Sequence, residues 1–236
     1  MGLRRQLPAY SPVRLGSLLA GATGALGVGD PIGALGRRLT AHFGTPDHLL
    51  VDSGTSGLRL AIEGARSMHG GRTVALPAYC CYDVATAAIG AGAGIRLYDI
   101  DPITLGPDWP SLEGVLSPDV SSVVAVHLYG VPVDVPRMAA LAARVGAVLI
   151  EDAAQGVGGS IDERPLGVHG SLGVLSFGRG KGLTGGGGGA VLATDDIGRA
   201  ALMAVGDRPA VGLPGWRGLL RLAGQWLLGR PSVYGI

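Results

Sequence analysis

Short runs of apolar residues alternate with segments of helical length along most of the chain, and this alternation constrains the fold most. The runs are continuous Val, Ile, Leu and Ala, which is typical of strands covered on both faces. They predict strands at 48–52, 73–77, 95–99, 122–127, 147–151, 172–177 and 190–194. The segments between them predict helices near 31–43, 56–68, 82–91, 134–145 and 197–206. We therefore expect a three-layer α/β/α protein with a mostly parallel sheet of about seven strands.

The two ends of the chain lie outside this alternation. We expect an N-terminal arm at 1–30, a large α/β domain at 31–200 and an apolar helical tail at 201–236. The tail should expose apolar surface, because it carries Leu219, Leu220, Leu222, Trp226, Leu227 and Leu228. No window of about 18 uninterrupted apolar residues exists, so no membrane span is predicted.

Composition argues against several classes of function. The formal net charge of the 236 residues is +1, so a basic surface for nucleic acid is not expected. The two cysteines, Cys80 and Cys81, are adjacent, and neighbouring cysteines rarely form a disulfide. This usage favours a reduced, cytoplasmic compartment. The histidines show no metal-ligand spacing, and His127 fits the end of a strand better than a metal site.

A turn that could hold a phosphate follows the first predicted strand. Residues 53–57 read Ser-Gly-Thr-Ser-Gly and open a helical segment. Such a turn offers backbone N–H groups, hydroxyls and the positive end of a helix dipole. An ordinary helix N-cap is the alternative, and the turn alone does not separate the two interpretations.

Two later strands end in groups that can do chemistry. The strand at 147–151 leads into Asp152, and an acid at the tip of a buried strand needs a cation or hydrogen-bond donors. The strand at 172–177 contains Ser176, and Lys181 follows five residues later. Lys181 is the single lysine among 19 basic residues. A lysine, unlike an arginine, can lose its proton and form a Schiff base. A helix cap at Asp152 and a chance surface lysine are the alternatives.

Parallel strands present their carboxyl ends at one edge of a sheet, where ligands bind. We therefore expect the turn at 53–57, Asp152 and Lys181 to lie together. Pyridoxal phosphate needs this combination, because its aldehyde condenses with a lysine, its pyridinium nitrogen pairs with a carboxylate and its phosphate suits a helix N-terminus. The predicted roles are phosphate contact for Thr55, Ser56 and Ser176, ring-nitrogen contact for Asp152 and aldehyde contact for Lys181.

Several motifs, in this order, resemble a known family. They are SGTSGL at 53–58, VALPAY at 74–79, YDIDPITL at 98–105, VHLYGVPVD at 126–134, IEDAAQGVG at 150–158, LSFGRGKGL at 175–183 and GGGGAVLATDD at 186–196. Over about residues 30–200 the chain resembles the DegT/StrS family of sugar aminotransferases, which belong to the fold type I class of pyridoxal-phosphate enzymes. The resemblance implies that 31–200 is a cofactor-binding large domain. It implies that Lys181 is the cofactor lysine and general acid and base, that Asp152 pairs with the pyridinium nitrogen, and that Gln155 neighbours the phenolic oxygen.

The resemblance also implies an activity. We expect a transaminase acting on a nucleotide-linked ketosugar, with glutamate or glutamine as amino donor, in polysaccharide, lipopolysaccharide or secondary-metabolite sugar biosynthesis. The family implies a homodimer. A sugar dehydratase is a second interpretation, but dehydratases of this family carry His where this chain has Lys181. A truncated, non-catalytic remnant that binds cofactor or a partner subunit is a third, because family chains are usually longer.

One position departs from the family pattern. Family members often place an aromatic residue over the cofactor ring, four residues after the proline of the second strand. That position is Cys81 here, with Tyr79 and Tyr82 nearby. The residue that covers the ring is therefore left open by the sequence.

Overall fold

The computed structural model of the protein describes residues 13–206 and 215–228. The strands are β1 (His48–Val51), β2 (Thr73–Pro77), β3 (Gly94–Tyr98), β4 (Val120–Val126), β5 (Val148–Asp152), β6 (Ser160–Ile161), β7 (Arg164–Pro165), β8 (Leu172–Ser176) and β9 (Gly189–Ala193). The helices are α1 (Leu15–Ala25), α2 (Pro31–Phe43), α3 (Gly54–His69), α4 (Tyr82–Gly90), α5 (Trp109–Val115), α6 (Val135–Ala143), α7 (Asp196–Val205) and α8 (Gly215–Leu228). Each of the seven predicted strands and five predicted helices is present.

Seven strands form one sheet in the order β1-β9-β8-β5-β4-β2-β3. The strand β9 runs antiparallel to both of its neighbours, β1 and β8. The other four neighbouring pairs are parallel. The prediction of a mostly parallel, seven-stranded sheet is confirmed. The carboxyl ends of β1, β2, β4, β5 and β8 consequently lie at one edge of the sheet, and the amino end of β9 joins them there.

Helices cover both faces of the sheet and make the three predicted layers. On one face, α3, α4 and α7 pack on the sheet through residues such as Ile62, Val84 and Ala201. On the other, α5 and α6 contribute Leu112 and Met138, and α2 contributes Leu39 and Phe43 to a third cluster. Each fully buried Leu, Ile or Met is worth about 1.5–3 kcal/mol of burial free energy. The fold is therefore held by apolar contact on both sheet faces.

Local sequence explains where the helices begin and end. The Asp134 carboxylate accepts a hydrogen bond from the Arg137 N–H at 3.0 Å, and Pro136 lies in the first turn of α6. Helix α3 ends at Gly70, whose φ of 76° is a left-handed conformation that glycine adopts at little cost. The sequence did not predict α5, which starts by the same device, since Asp108 accepts from the Ser111 N–H at 2.9 Å.

Helices α1 and α8 pack on each other and on the run of five glycines at 185–189, which leads into β9. Gly21 of α1 lies against Leu219 and Leu222 of α8, and Gly186 also lies against Leu222. Leu222 is buried, whereas Leu220, Leu227 and Leu228 are exposed. No described helix is long and apolar enough to cross a membrane. The boundaries proposed at residues 30 and 200 stay predictions, and the ends of the arm and tail lie outside the described residues.

The close approach of α3 to α7 gives a stability prediction. A Cβ on Gly64 would overlap the Ala201 carbonyl oxygen, whereas a Cβ on Gly114 of α5 would meet nothing within 4 Å. Gly64→Ala should lower the free energy of unfolding by about 1–3 kcal/mol through overpacking. Gly114→Ala is the control and should be neutral or stabilising by roughly 0.5–1 kcal/mol. Denaturant unfolding measures both, and equal effects of the two substitutions would contradict this packing.

Candidate functional site

Five of the six predicted site residues line one cleft at the carboxyl edge of the sheet. The cleft is open to solvent and contains about 510 Å³ of empty space, which includes part of that solvent. Thr55, Asp152, Gln155, Ser176 and Lys181 line it, together with Gly54, Leu58, Cys81, Asp83, Val84, Val126, His127 and Ala154. Ser56 lies in the first turn of α3 but is not among the lining residues. The sequence therefore identified most of the polar groups that share this space.

The N-terminus of α3 forms one end of the cleft. Ser53 caps the helix, because its Oγ accepts a hydrogen bond from the Ser56 N–H at 3.1 Å and donates to the Ser56 Oγ at 2.9 Å. A Cβ on Gly54 would lie 2.8 Å from the Ser176 Cβ, so the first turn rests directly on β8. The first N–H groups of a helix have no intrahelical acceptor and carry partial positive charge. The turn is therefore a helix N-cap that also offers the backbone N–H groups and hydroxyls of an anion site.

Asp152 is a buried acid that faces the cleft from the end of β5. Its side chain accepts a hydrogen bond from the Ala154 N–H at 2.9 Å, and the residue is only 8% exposed. Burial raises the pKa of Asp152 above its ordinary value, although the Ala154 N–H and the charge of Lys181 oppose the rise. A cation placed beside this carboxylate would relieve the cost of its burial.

Lys181 lies in the loop between β8 and β9. Its backbone N–H donates to the Gly178 carbonyl oxygen at 3.3 Å, and its side chain is half-buried against the cleft. A side chain at Gly182 would overlap the Val157 carbonyl oxygen. The glycine that follows Lys181 therefore lets the loop lie close to the segment after β5, which keeps the lysine beside Asp152 and Gln155.

Gln155 supports an unusual turn after β4. Its Oε1 accepts a hydrogen bond from the Tyr129 N–H at 2.9 Å. Tyr129 has a φ of 56° and Gly130 a φ of 81°, and a left-handed conformation costs a bulky residue about 1–3 kcal/mol. Because Oε1 faces a backbone donor, the Nε2 group of Gln155 is the part that can donate into the cleft.

Behind Asp152 lies a fully buried pair, Glu151 and His127, that the sequence did not assign to a site. His127 Nε2 and Glu151 Oε1 are 2.8 Å apart, and both side chains are inaccessible. The Val133 N–H donates to His127 Nδ1 at 3.2 Å, so the neutral ring carries its proton on Nε2. These contacts occupy both ring nitrogens of His127, and its assignment to a strand end rather than a metal site stays a prediction. Among the described residues, no group of His, Cys, Asp and Glu could hold a metal.

Glu151 accepts three further hydrogen bonds, all from backbone N–H groups. They come from Gly167 at 2.6 Å, His169 at 2.6 Å and Gly170 at 3.1 Å. Burial alone would raise the pKa of Glu151, but the His127 hydrogen bond and these N–H groups hold it below its ordinary value. Four donors fill the acceptor positions of an ionised carboxylate, so Glu151 is an anion inside the protein.

The wall formed by the start of α4 is polar rather than aromatic. Cys81 and Asp83 both line the cleft, and the Cys81 Sγ lies 3.6 Å from Asp83 Oδ2. Tyr79 and Tyr82 are exposed and do not line it. Burial, followed by the charges of Asp152 and Cys81, raises the pKa of the neighbouring Cys80 thiol to about 11. Asp83 is a cleft residue that no motif indicated, because its neighbours in sequence carry no recognisable spacing.

These residues fit pyridoxal phosphate. The cleft has an amine at Lys181, a buried carboxylate at Asp152 and the helix N-terminus at Gly54 and Thr55. Gly54 lies so close to Ser176 that any side chain there would displace the end of β8, which keeps the helix N-terminus open to an anion. A cofactor with a cationic ring nitrogen and an anionic phosphate matches both ends of the cleft.

A family comparison agrees with this assignment. The family model of the DegT/DnrJ/EryC1/StrS aminotransferase family matches residues 19–205. The chain belongs to this family. Its cofactor is pyridoxal phosphate, and the resemblance noted in the sequence is confirmed.

Curated relatives and a solved structure are consistent with the family. The chain is 37% identical over 147 residues to the L-glutamine:2-deoxy-scyllo-inosose aminotransferase of Streptomyces kanamyceticus, covering 62% of this chain and 34% of that protein. It is 33% identical over 144 residues to a UDP-N-acetyl-3-dehydro-alpha-D-glucosamine 3-aminotransferase of Acidithiobacillus ferrooxidans, covering 61% and 39%. The sugar aminotransferase CalS13 of Micromonospora echinospora superposes with a TM-score of 0.73 at 29% identity, covering 84% and 57%. The chain thus spans less than half of either curated relative.

The buried Asp152 carboxylate should destabilise the cofactor-free protein at neutral pH. Its pKa in the folded protein lies above the ordinary 3.8, so stability is lost as pH rises from that value through the raised pKa. Asp152→Asn keeps the acceptor for the Ala154 N–H and should gain on the order of 1 kcal/mol at pH 7. The gain should vanish below pH 3.8. Asp134→Asn, which keeps a helix cap, is the control, and an Asp152→Asn variant less stable than the parent would contradict the expectation.

Glu151, unlike Asp152, should stabilise the protein at neutral pH and lose this effect in acid. Because its folded pKa lies below the ordinary 4.5, its contribution is present above that pH and is lost as pH falls through the lowered pKa. Glu151→Gln places an amide among backbone donors and should cost about 3–5 kcal/mol at pH 7. The difference from the parent should narrow below pH 4.5 in denaturant titrations. Glu113→Gln removes an exposed ion pair with Arg144 and should cost under about 0.5 kcal/mol; a gap that stays constant with pH would refute this role for Glu151.

Proposed function

We propose that this chain carries the cofactor site of an aminotransferase that moves an amino group from glutamine or glutamate to a ketosugar linked to a nucleotide. The observation that carries the proposal is the meeting of Lys181, Asp152 and the α3 N-terminus in one cleft. Polysaccharide, lipopolysaccharide or secondary-metabolite sugar biosynthesis is the proposed setting.

The residues of the cleft divide the work of transamination. When bound, pyridoxal phosphate supplies an aldehyde for the amino group and a ring that stores the electrons released when a proton leaves. Lys181 Nζ would hold the cofactor through its aldehyde and would move a proton at the substrate carbon. Asp152 would keep a proton on the ring nitrogen. Gln155 Nε2 would donate to the phenolic oxygen, and the phosphate would be bound by Thr55, Ser56, Ser176 and the α3 N-terminus.

The substrate proposal rests on what relatives act on. The names of two relatives specify a UDP-linked amino sugar precursor and a cyclic polyhydroxy ketone. Both are ketones on a polyhydroxylated ring, which is the class that this site is proposed to accept. We propose a nucleotide-linked ketosugar as the substrate. A free cyclitol ketone is the alternative, which the relative from Streptomyces kanamyceticus favours.

Assembly and compartment are also proposed. A homodimer is supported by the family and by apolar side chains exposed beside the cleft, such as Tyr82 and Leu183. A cytoplasmic compartment is supported by Cys80 and Cys81, which are free thiols in the structure.

The test of the function uses the single lysine. Protein incubated with pyridoxal phosphate should develop a visible absorbance band, and borohydride should then fix the cofactor irreversibly on Lys181. Peptide mass spectrometry has one lysine to examine. Lys181→Arg keeps the charge but cannot form the bond, so it is the matched control and should show neither band nor adduct.

An adduct confined to the N-terminal amine would sink the cofactor proposal. Turnover with glutamine or glutamate and a ketosugar then distinguishes an aminotransferase from a remnant that binds cofactor without reaction. In a protein that turns over, Asp152→Ala should slow the reaction by about a hundredfold or more, because the charge that keeps the ring nitrogen protonated is lost.

A further inference from the structure

Two tyrosines meet beside the cleft, and the cofactor chemistry leaves them unused. The phenolic oxygens of Tyr79 and Tyr129 are 3.0 Å apart. Tyr79 lies between β2 and α4, two residues before Cys81 of the cleft wall. Tyr129 follows His127 of the cleft wall, after β4. Because β2 and β4 are parallel neighbours, the pair bridges two loops at the same edge of the sheet as the cleft.

Both tyrosines are exposed, and the backbone of Tyr129 is strained. Tyr79 and Tyr129 are 57% and 66% exposed, so burial does not account for the conformation of Tyr129. Its φ of 56° is rare for a bulky residue. Residues held in this way cluster at ligand sites, where surrounding contacts over-determine them. An exposed aromatic held in a strained backbone therefore points to a ligand rather than to packing.

Gln155 is what holds Tyr129 in place. Its Oε1 accepts from the Tyr129 N–H at 2.9 Å. A Cβ on Gly130 would lie 3.0 Å from the Gln155 carbonyl oxygen, so the turn is packed on the Gln155 backbone as well. The residue proposed to contact the phenolic oxygen of the cofactor thus also fixes the outer tyrosine.

We propose that Tyr79 and Tyr129 form the rim that recognises the polyhydroxylated ring of the ketone substrate, and that Gln155 is the positioning residue that aligns this rim with the cofactor. The inference deepens the proposed function and rests on it. Each phenol donates one hydrogen bond and accepts others without carrying charge. A neutral ring bearing hydroxyl groups and apolar C–H faces matches two flat aromatic surfaces with polar tips. A phosphate or a carboxylate would find no cation in this pair.

The test measures binding of unreactive probes to the cofactor-loaded protein and to the cofactor-free protein. The probes are scyllo-inositol, UDP-N-acetylglucosamine and UMP. Saturation-transfer NMR and calorimetry measure their binding. Tyr79→Phe and Tyr129→Phe each remove one hydroxyl and keep the ring. Tyr82→Phe is the matched control, because Tyr82 begins α4 three residues after Tyr79, is 78% exposed and has no hydroxyl hydrogen bond in the part of the chain that is described.

Both rim variants should bind scyllo-inositol and UDP-N-acetylglucosamine about 2- to 10-fold more weakly than the parent, as expected for loss of one hydrogen bond. Tyr82→Phe should bind like the parent, and all three should keep the parent's cofactor affinity and thermal midpoint. In turnover, the rim variants should raise KM for the ketone while the half-reaction with the amino donor is unchanged. Rim variants that match Tyr82→Phe would overturn the proposal, as would a parent that binds cofactor but neither polyol probe.

A result in which UMP binding falls as much as that of the sugar nucleotide, with scyllo-inositol unaffected, would also overturn it. The rim would then recognise the base rather than the polyhydroxylated ring. Failure of the proposed function looks different, because the parent itself would then lack the cofactor adduct on Lys181. The adduct on the parent protein therefore distinguishes failure of the proposed function from failure of the rim proposal.

Discussion

Glu151 ties together three segments on which the arrangement of the site depends. Its carboxylate joins β5 to His127 after β4 and to the backbone of 167–170, which leads into β8. The strands β4, β5 and β8 are neighbours at the middle of the sheet. A buried carboxylate with four donors has a large penalty for losing any of them. This one side chain therefore fixes the positions of the ends of β4, β5 and β8 relative to one another. The cleft lies at those ends.

Strand alternation then places the next residue on the opposite face of the sheet. Glu151 faces the segment at 167–170, so Asp152 faces the cleft. The two acids are both buried, and Glu151 has four hydrogen-bond donors on its carboxylate. Asp152 accepts from the Ala154 N–H and lies within the electrostatic influence of Lys181. Glu151 is therefore satisfied within the core, whereas Asp152 faces a cleft that a ligand can enter.

The sequence predicted the parts of the structure that local pattern determines. Continuous apolar runs located all seven strands of the main sheet, and the rule that parallel strands end at one edge predicted that the turn at 53–57, Asp152 and Lys181 lie together. The sequence could not predict His127–Glu151, because that pair depends on contacts between residues 24 apart. Nor could it predict the left-handed Tyr129, whose conformation depends on Gln155. Ser56 stays a predicted phosphate contact; its hydroxyl oxygen accepts a hydrogen bond from the Ser53 Oγ.

The charges of the cleft favour one orientation of a ligand that is anionic at one end and cationic at the other. Asp83 and Asp152 lie on the side of α4 and β5, whereas the first turn of α3 presents the positive end of a helix dipole beside Ser176. A molecule with a phosphate at one end and a cationic ring nitrogen at the other is repelled in the reverse orientation at both ends. With Cys81 in place of an aromatic side chain, less of the ring's orientation comes from stacking. Electrostatic complementarity between the two ends of the cleft must therefore carry more of the positioning in this chain than in a relative that covers the ring with an aromatic residue.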